Sequence, residues 1–283
     1  MSTSRVSVKA CRRVFCKGAS IPVLLLLLGV ALAGALLLKQ SADSQRRVSR
    51  EMEKPIAVPD TKTEEKFVYK PAPRNFVGEA IKLPVPKQKG TVSLEEAITK
   101  RETRRIFESR PVTLPELSQV LWAAYGFSDV EKGFRSVPSA RTAFPYDFMF
   151  VARNVAGLQP GLYLYLPESH AVQPMLYDEH LIQGEAYQDP VKQAPVVFVF
   201  GAINDKMREK SQNALTAPKA TLQESGHISQ NIYLMAEVTG LATGAVAGFD
   251  DEALAKELNL PTDVTVVYLQ TLGARSDEPE PAH

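Results

Sequence analysis

The stretch "APVVFVFGA", Ala194 to Ala202, is apolar at every position and rich in valine and phenylalanine. A run this short, β-branched and aromatic, without polar alternation, reads as a strand buried on both faces. Both sides of that strand must therefore be covered. "YDFMFVA", "GLYLYL" and "VTVVYLQTL" supply further strands. Helix starts are marked by capping boxes at Ser93/Glu96, Thr113/Glu116 and Thr221/Glu224. The second helix stops at Gly126, and the third, with Ile228, Ile232 and Met235 on one face, stops at Gly240. "GAVAGFDDEALAKEL" passes through an Asp-led turn into a shorter helix. Helices and strands do not alternate regularly, so the expected class is α+β, a central sheet packed by helices, and not a doubly wound parallel sheet.

With 283 residues and 45% hydrophobic content, the chain can bury a sizeable core. Its formal charge of +1 includes five cations, Arg5, Lys9, Arg12, Arg13 and Lys17, that precede any acid and leave about −4 downstream. A mildly acidic body argues against nucleic acid as a partner. Cys11 and Cys16 both fall in the basic leader, and His170, His180, His227 and His283 are scattered. No metal site is expected. Residues 1–20 form the leader and 21–38 an apolar segment long enough for a spanning helix. The segment reads either as a retained anchor or as a signal peptide cut near "ALAGA", and Leu36 to Leu38, running on past that point, favour the anchor. The basic flank directs the downstream chain across the membrane. Residues 39–75 are polar, with scattered prolines, and read as a tether. A domain over 76–276 and a polar tail over 277–283 complete the organisation.

Three segments suggest chemistry. "KRETRRIF" places Arg101, Thr103 and Arg105 at the end of the first expected helix, where two guanidinium groups four residues apart share a face suited to phosphate. In isolation a solvated basic helix end is the readier explanation. "RSVPSARTAFP" is a loop of small residues leading into a strand, and "GAVAGFDD" brackets Ala245, Val246 and Ala247 with Gly244 and Gly248. Both would let main-chain groups approach a flat ligand, and both are also ordinary connections. Glu224 and His227 could be an acid–base pair, but Glu224 is accounted for by capping and a lone histidine is commonly structural. Trp122 and Tyr125 are expected in the core or at a dimer interface.

Taken as a series, "GTVSLEEAITKRETRRIF", "VTLPELSQVLWAAYG", "SVPSARTAFPYDFMFV", "GLQPGLYLYLPESHAV", "ESGHISQNIYL" and "GFDDEALAKELNLP" resemble the nitroreductase superfamily, in particular its SagB-type dehydrogenase branch, across residues 80–275. The resemblance implies an FMN-binding α+β fold, a homodimer with flavin at the subunit interface, and an oxidoreductase passing hydride or electrons through flavin N5 to a small substrate. By position, Arg101, Thr103 and Arg105 match the segment at the FMN phosphate and ribityl chain, Thr103 standing where Ser is usual. Pro138, Ser139 and Ala140 match the loop that reaches the flavin of the other subunit, and Arg141 stands where Gly is usual. Ala245, Val246, Ala247 and Gly248 match the stretch whose amides approach the flavin N5 edge, and Arg275 matches a phosphate-binding arginine. The resemblance assigns no catalytic side chain.

One departure bears on the reaction. Gln212 and Asn213 occupy positions where the dehydrogenase branch carries Lys and Tyr. An amide pair cannot change protonation state, so it cannot act as general acid or base. The leader "CRRVFCK" is similar to a twin-arginine export signal at Arg12, Arg13, Phe15 and Lys17. That similarity implies an anchored catalytic domain outside the cytoplasm, with an electron donor other than a nicotinamide. The alternatives are a flavin-binding protein without turnover, and a cytoplasm-facing enzyme using NADH or NADPH.

Overall fold

In the computed structural model the residues described are Lys39 and 66–278. The apolar segment, the arginine-rich leader and most of the C-terminal tail lie outside them. Among the described residues no helix is long and apolar enough to cross a membrane.

Strands β1 (Ile81–Lys82), β2 (Phe127–Asp129), β3 (Phe134–Arg135), β4 (Tyr146–Ala152), β5 (Gly161–Leu166), β6 (Ala171–Leu176), β7 (Val196–Ala202), β8 (Leu241–Val246) and β9 (Thr265–Ala274) form two sheets. The large one has the order β1-β6-β5-β4-β7-β9-β8, and β2 pairs only with β3. Every pairing between these strands is antiparallel. The apolar run becomes β7, all seven of its residues buried, between β4 and β9.

The pleat sends alternate residues of β4 and β7 to opposite faces. Phe148, Phe150, Phe198 and Phe200 meet α2 (Leu114–Tyr125) and α5 (Ala217–Thr239) through Leu117, Leu121, Ile228 and Ile232. Met149, Val151, Val197 and Val199 point the other way, toward Val191 of α3 (Asp189–Gln193) and Leu254 of α6 (Asp251–Glu257). The α+β expectation holds, with a mostly apolar sheet enclosed on both sides.

Helix boundaries depart from the sequence reading in two places. The first helix, α1, covers only Leu94–Lys100. Its N-cap is half a box, since Ser93 Oγ accepts from the Glu96 amide while the Glu96 carboxylate turns to Lys100 at 2.7 Å. The full box forms at Thr113 and Glu116, at the start of α2. The third capping box is overturned: α5 begins at Ala217, with Pro218 in its first turn, and Thr221 is interior, its hydroxyl donating to Ala217 O at 3.0 Å. Proline at a helix start removes an amide that has no partner there anyway. Gly240 ends α5 at φ 70°, as expected.

Residues 66–75, read from sequence as tether, are held against the domain. Phe67 exchanges two 3.0 Å hydrogen bonds with the Gln212 side chain, just after α4 (Asn204–Ser211). The Tyr69 amide donates to Glu209, and the Tyr69 hydroxyl and Ala72 amide both donate to Asp263. Arg74 bridges Asp147 and Asp263 at 2.8 and 2.9 Å.

Candidate functional site

Because α1 ends at Lys100, Arg101, Thr103 and Arg105 do not share a helical face. They lie in a segment without regular secondary structure. That segment runs beside edge strand β8, the Arg104 amide donating to Thr243 O at 3.0 Å. Tyr233 of α5 draws the parts together. The Arg101 guanidinium sits 5.3 Å from its ring centre, and its hydroxyl lies 3.1 Å from that of Thr103 and accepts from the Ala245 amide at 2.9 Å. A Cβ at Gly244 would fall 3.1 Å from Arg105 Cγ and 3.3 Å from Thr103 Cγ2, so the missing side chain permits this approach.

One turn beyond Tyr233, the Glu237 side chain is only 3% exposed and pairs with both Arg104 and Arg275. Arg275 also donates to Leu241 O at 3.2 Å, while its Nε is buried without a partner. Arg104 pairs with Glu102 and Glu237, and Arg275 shares Glu237, so the guanidinium groups are gathered along β8 around one buried carboxylate. Neither Tyr233 nor Glu237 was singled out from the sequence. On α5 they continue an amphipathic pattern, and nothing local separates them from ordinary packing residues.

The loop at Pro138–Arg141 belongs to a different region. Pro138, Ala140 and Arg141 are exposed and Ser139 is half-buried, its Oγ accepting from the Phe144 amide at 2.8 Å. Behind the loop is Glu224, 2% exposed. Burial pushes its carboxyl up to about 7, and the Ser139 and Tyr125 hydroxyls oppose that rise in part. Glu224 thus faces inward from α5 whereas His227 is exposed, so the sequence-level pair is not formed. Glu224 and Tyr233 are nine residues apart on one helix, roughly 14 Å along its axis. Within one chain the loop and the arginine segment attach to different halves of α5.

The glycine-flanked stretch divides in two. The Ala245 amide is taken by Tyr233, and Val246 is buried in β8 opposite Leu269. Only Ala247 and Gly248 are exposed beyond the strand. The expectation that amides from 245 to 248 all face a ligand is therefore narrowed to these two. The unusual amide pair has structural work: Gln212 clamps the Phe67 backbone, and Asn213 Oδ1 accepts from the Leu215 and Thr216 amides ahead of α5. Trp122 and Tyr125 are helical, and Tyr125 packs in the core as expected.

Ser118 and His170 lie 2.8 Å apart, the spacing of a nucleophile and its base. However, Ser118 Oγ donates to Pro84 O, His170 Nε2 lies 3.0 Å from the same carbonyl, and Nδ1 faces the Tyr165 hydroxyl at 2.9 Å. An Nε2–H tautomer satisfies every group and leaves no lone pair to activate Ser118. Among the described residues no group of His, Cys, Asp and Glu could hold a metal ion.

Comparison with known proteins supplies a family. The nitroreductase family profile matches residues 98–274. A nitroreductase candidate of Methanocaldococcus jannaschii is 33% identical over 187 residues, which is 65% of this chain and 92% of that protein. The crystal structure of a nitroreductase candidate from Ralstonia eutropha JMP134 superposes with a TM-score of 0.63 at 26% identity, covering 75% of this chain and 98% of the other. A chain of the Escherichia coli microcin synthetase McbBCD complex shares the fold, with a TM-score of 0.55 at 21% identity over 71% of this chain and 79% of that one.

Proposed function

Since the chain belongs to the nitroreductase family, we propose that it is an FMN-dependent oxidoreductase whose flavin phosphate and ribityl chain lie along β8. The observation that carries this reading is the meeting of Arg101, Thr103 and Arg105 with Gly244 and Tyr233. The residues present fit the group. Arg275 keeps a buried Nε without a partner, Gly244 leaves room that a Cβ would fill, and guanidinium forks suit phosphate oxygens. When bound, the flavin would accept a hydride from a donor and pass it to a small acceptor. Arg101, Arg105 and Arg275 would hold the phosphate, Thr103 the ribityl chain, and the Ala247 and Gly248 amides the ring edge.

The finer reading is a SagB-type dehydrogenase relative that lacks the branch's Lys-Tyr pair, with Pro138–Arg141 serving the flavin of a second copy. Residues 76–276 would form the catalytic domain, anchored by 21–38 and exported by the twin-arginine-like leader to the outer side of the membrane. A C-terminal reporter fusion active only outside the cytoplasm would support that placement, and one active only inside would sink it.

The flavin assignment is tested on the full chain purified in detergent. Yellow protein that bleaches with a reductant under anaerobic conditions and recovers with an acceptor is the expected result. The double variant R101A/R105A should lose most of its bound flavin, and a fully loaded variant would overturn the assignment. A second reading, a flavin carrier without turnover, is favoured by one observation: Gln212 is occupied in clamping the arm. Bound flavin that no donor reduces would select it.

A further inference from the structure

Strand β8 is an edge of the large sheet, so its outward amides and carbonyls need partners from outside the sheet. The Arg104 amide takes one of them, the carbonyl of Thr243. The hydroxyl of half-buried Tyr233 takes another, accepting from the Ala245 amide at 2.9 Å. The phenol is thereby pinned to the strand, and its ring is held in place with it.

That ring carries Arg101, whose guanidinium carbon lies over it, 5.3 Å from the centre. Arg104 is engaged by Glu102, Glu237 and the Lys100 carbonyl, and Arg275 by Glu237 and the Leu241 carbonyl. Arg101 differs from both. Among the described residues its side chain has no carboxylate or carbonyl partner, only the Tyr233 ring. An aromatic face holds a guanidinium by its flat surface and leaves the N–H edge free, and that edge is the part that grips phosphate oxygens.

The hydroxyl of Tyr233 does the same for Thr103. The two oxygens lie 3.1 Å apart, and either can be the donor. Two O–H protons share this one contact, so one proton is left for a ligand. Because the phenol oxygen already accepts from Ala245, the arrangement that uses each group once has Tyr233 donate to Thr103 and leaves the Thr103 O–H as the free donor.

We propose that Tyr233 is a positioning residue: it presents Arg101 through its ring and Thr103 through its hydroxyl, and the ring contact sets the preference for a phosphorylated flavin over the same flavin without its phosphate. The proposal rests on the flavin reading above, in which Arg101 meets the phosphate and Thr103 the ribityl chain. Tyr233 acts on the ligand through these two residues.

The test uses the full chain in detergent, titrated in turn with FMN and with riboflavin at one pH and ionic strength, with quenching of flavin fluorescence as the readout. Tyr233→Phe keeps the ring and loses the hydroxyl, so both flavins should bind about five- to tenfold more weakly, their affinity ratio unchanged. Tyr233→Leu loses the ring as well, and FMN should then lose about three- to tenfold more affinity than riboflavin. A general loosening of the fold weakens both flavins alike and does not produce that split. Should Y233L fail to fold, Tyr233→Met removes the ring with an unbranched side chain, and the same split is expected. Combined with Thr103→Val, Y233F should weaken binding by about twofold at most, since the hydroxyl it positions is gone. An unchanged FMN-to-riboflavin ratio in the ring-less variant, or a Y233F effect as large in T103V as in wild type, would overturn the proposal and leave the flavin reading standing. Wild type that binds neither flavin would overturn both.

Discussion

Arg141 sits at φ 56° and ψ 21°, in the left-handed region, where a Cβ crowds the following carbonyl. This is the position where the resemblance to SagB-type enzymes led us to expect glycine, so the backbone keeps a glycine-like conformation under a cationic side chain. Arg141→Gly should stabilise the fold by about 0.5–1 kcal/mol in urea denaturation, the relieved strain exceeding the added entropy of the unfolded chain. Glu224 adds a pH dependence. Its folded pKa, about 7, stands above its ordinary value, so the native state binds the proton more tightly than the unfolded chain. Its contribution is fully present below about pH 4.5 and is lost as pH rises through 7. Glu224→Gln should therefore raise stability at pH 8, by up to about 3 kcal/mol, with little change at pH 4.5. Denaturation midpoints at the two pH values check this.

At the scale of elements, α5 is the organising helix. Its first half faces Tyr125 and Ser139 through Glu224, and its second half faces Thr103 and Arg101 through Tyr233, then Arg104 and Arg275 through Glu237. The sequence showed a helix here, and its buried stripe of Ile228 and Ile232, but placed its N-cap at Thr221, five residues later than the observed Thr216. Thr221 and Glu224 mimic a capping box because the spacing is the same inside a helix as at its end. The arm over 66–75 was illegible for a related reason. It has no periodicity of its own and is ordered by distant side chains. Arg74 is its main fastening, only 13% exposed between Asp147 and Asp263. Arg74→Ala would remove the cation that those carboxylates share, at a cost of about 3 kcal/mol, and should make 66–75 sensitive to limited proteolysis.

For the whole molecule, the two candidate flavin-contacting regions attach to α5 at positions about 14 Å apart along its axis. Nitroreductase-fold proteins are commonly dimeric, and a second copy would supply the missing loop to each site. Flavin release should then track dissociation: on dilution, loss of bound flavin fluorescence quenching and the fall in sedimentation coefficient should share one midpoint. A monomer that retains its flavin would exclude a shared site. The arginine segment was expected at a helix end with Arg101 and Arg105 on one face, and it lies instead in an irregular segment after α1, beside β8.

The features dictated by residue order were short-ranged. An all-apolar run required a strand covered on both faces, capping residues and terminal glycines marked helix ends, and the absence of regular alternation excluded a doubly wound sheet. Each depends on interactions between residues a few positions apart. Packing alone decided that Phe67 would meet Gln212 across 145 positions, Thr103 would meet Tyr233 across 130, and Glu224 would meet Tyr125 across 99. Such pairs leave no periodic trace in the chain, because what brings them together is the closure of the sheet and the seating of α5 upon it.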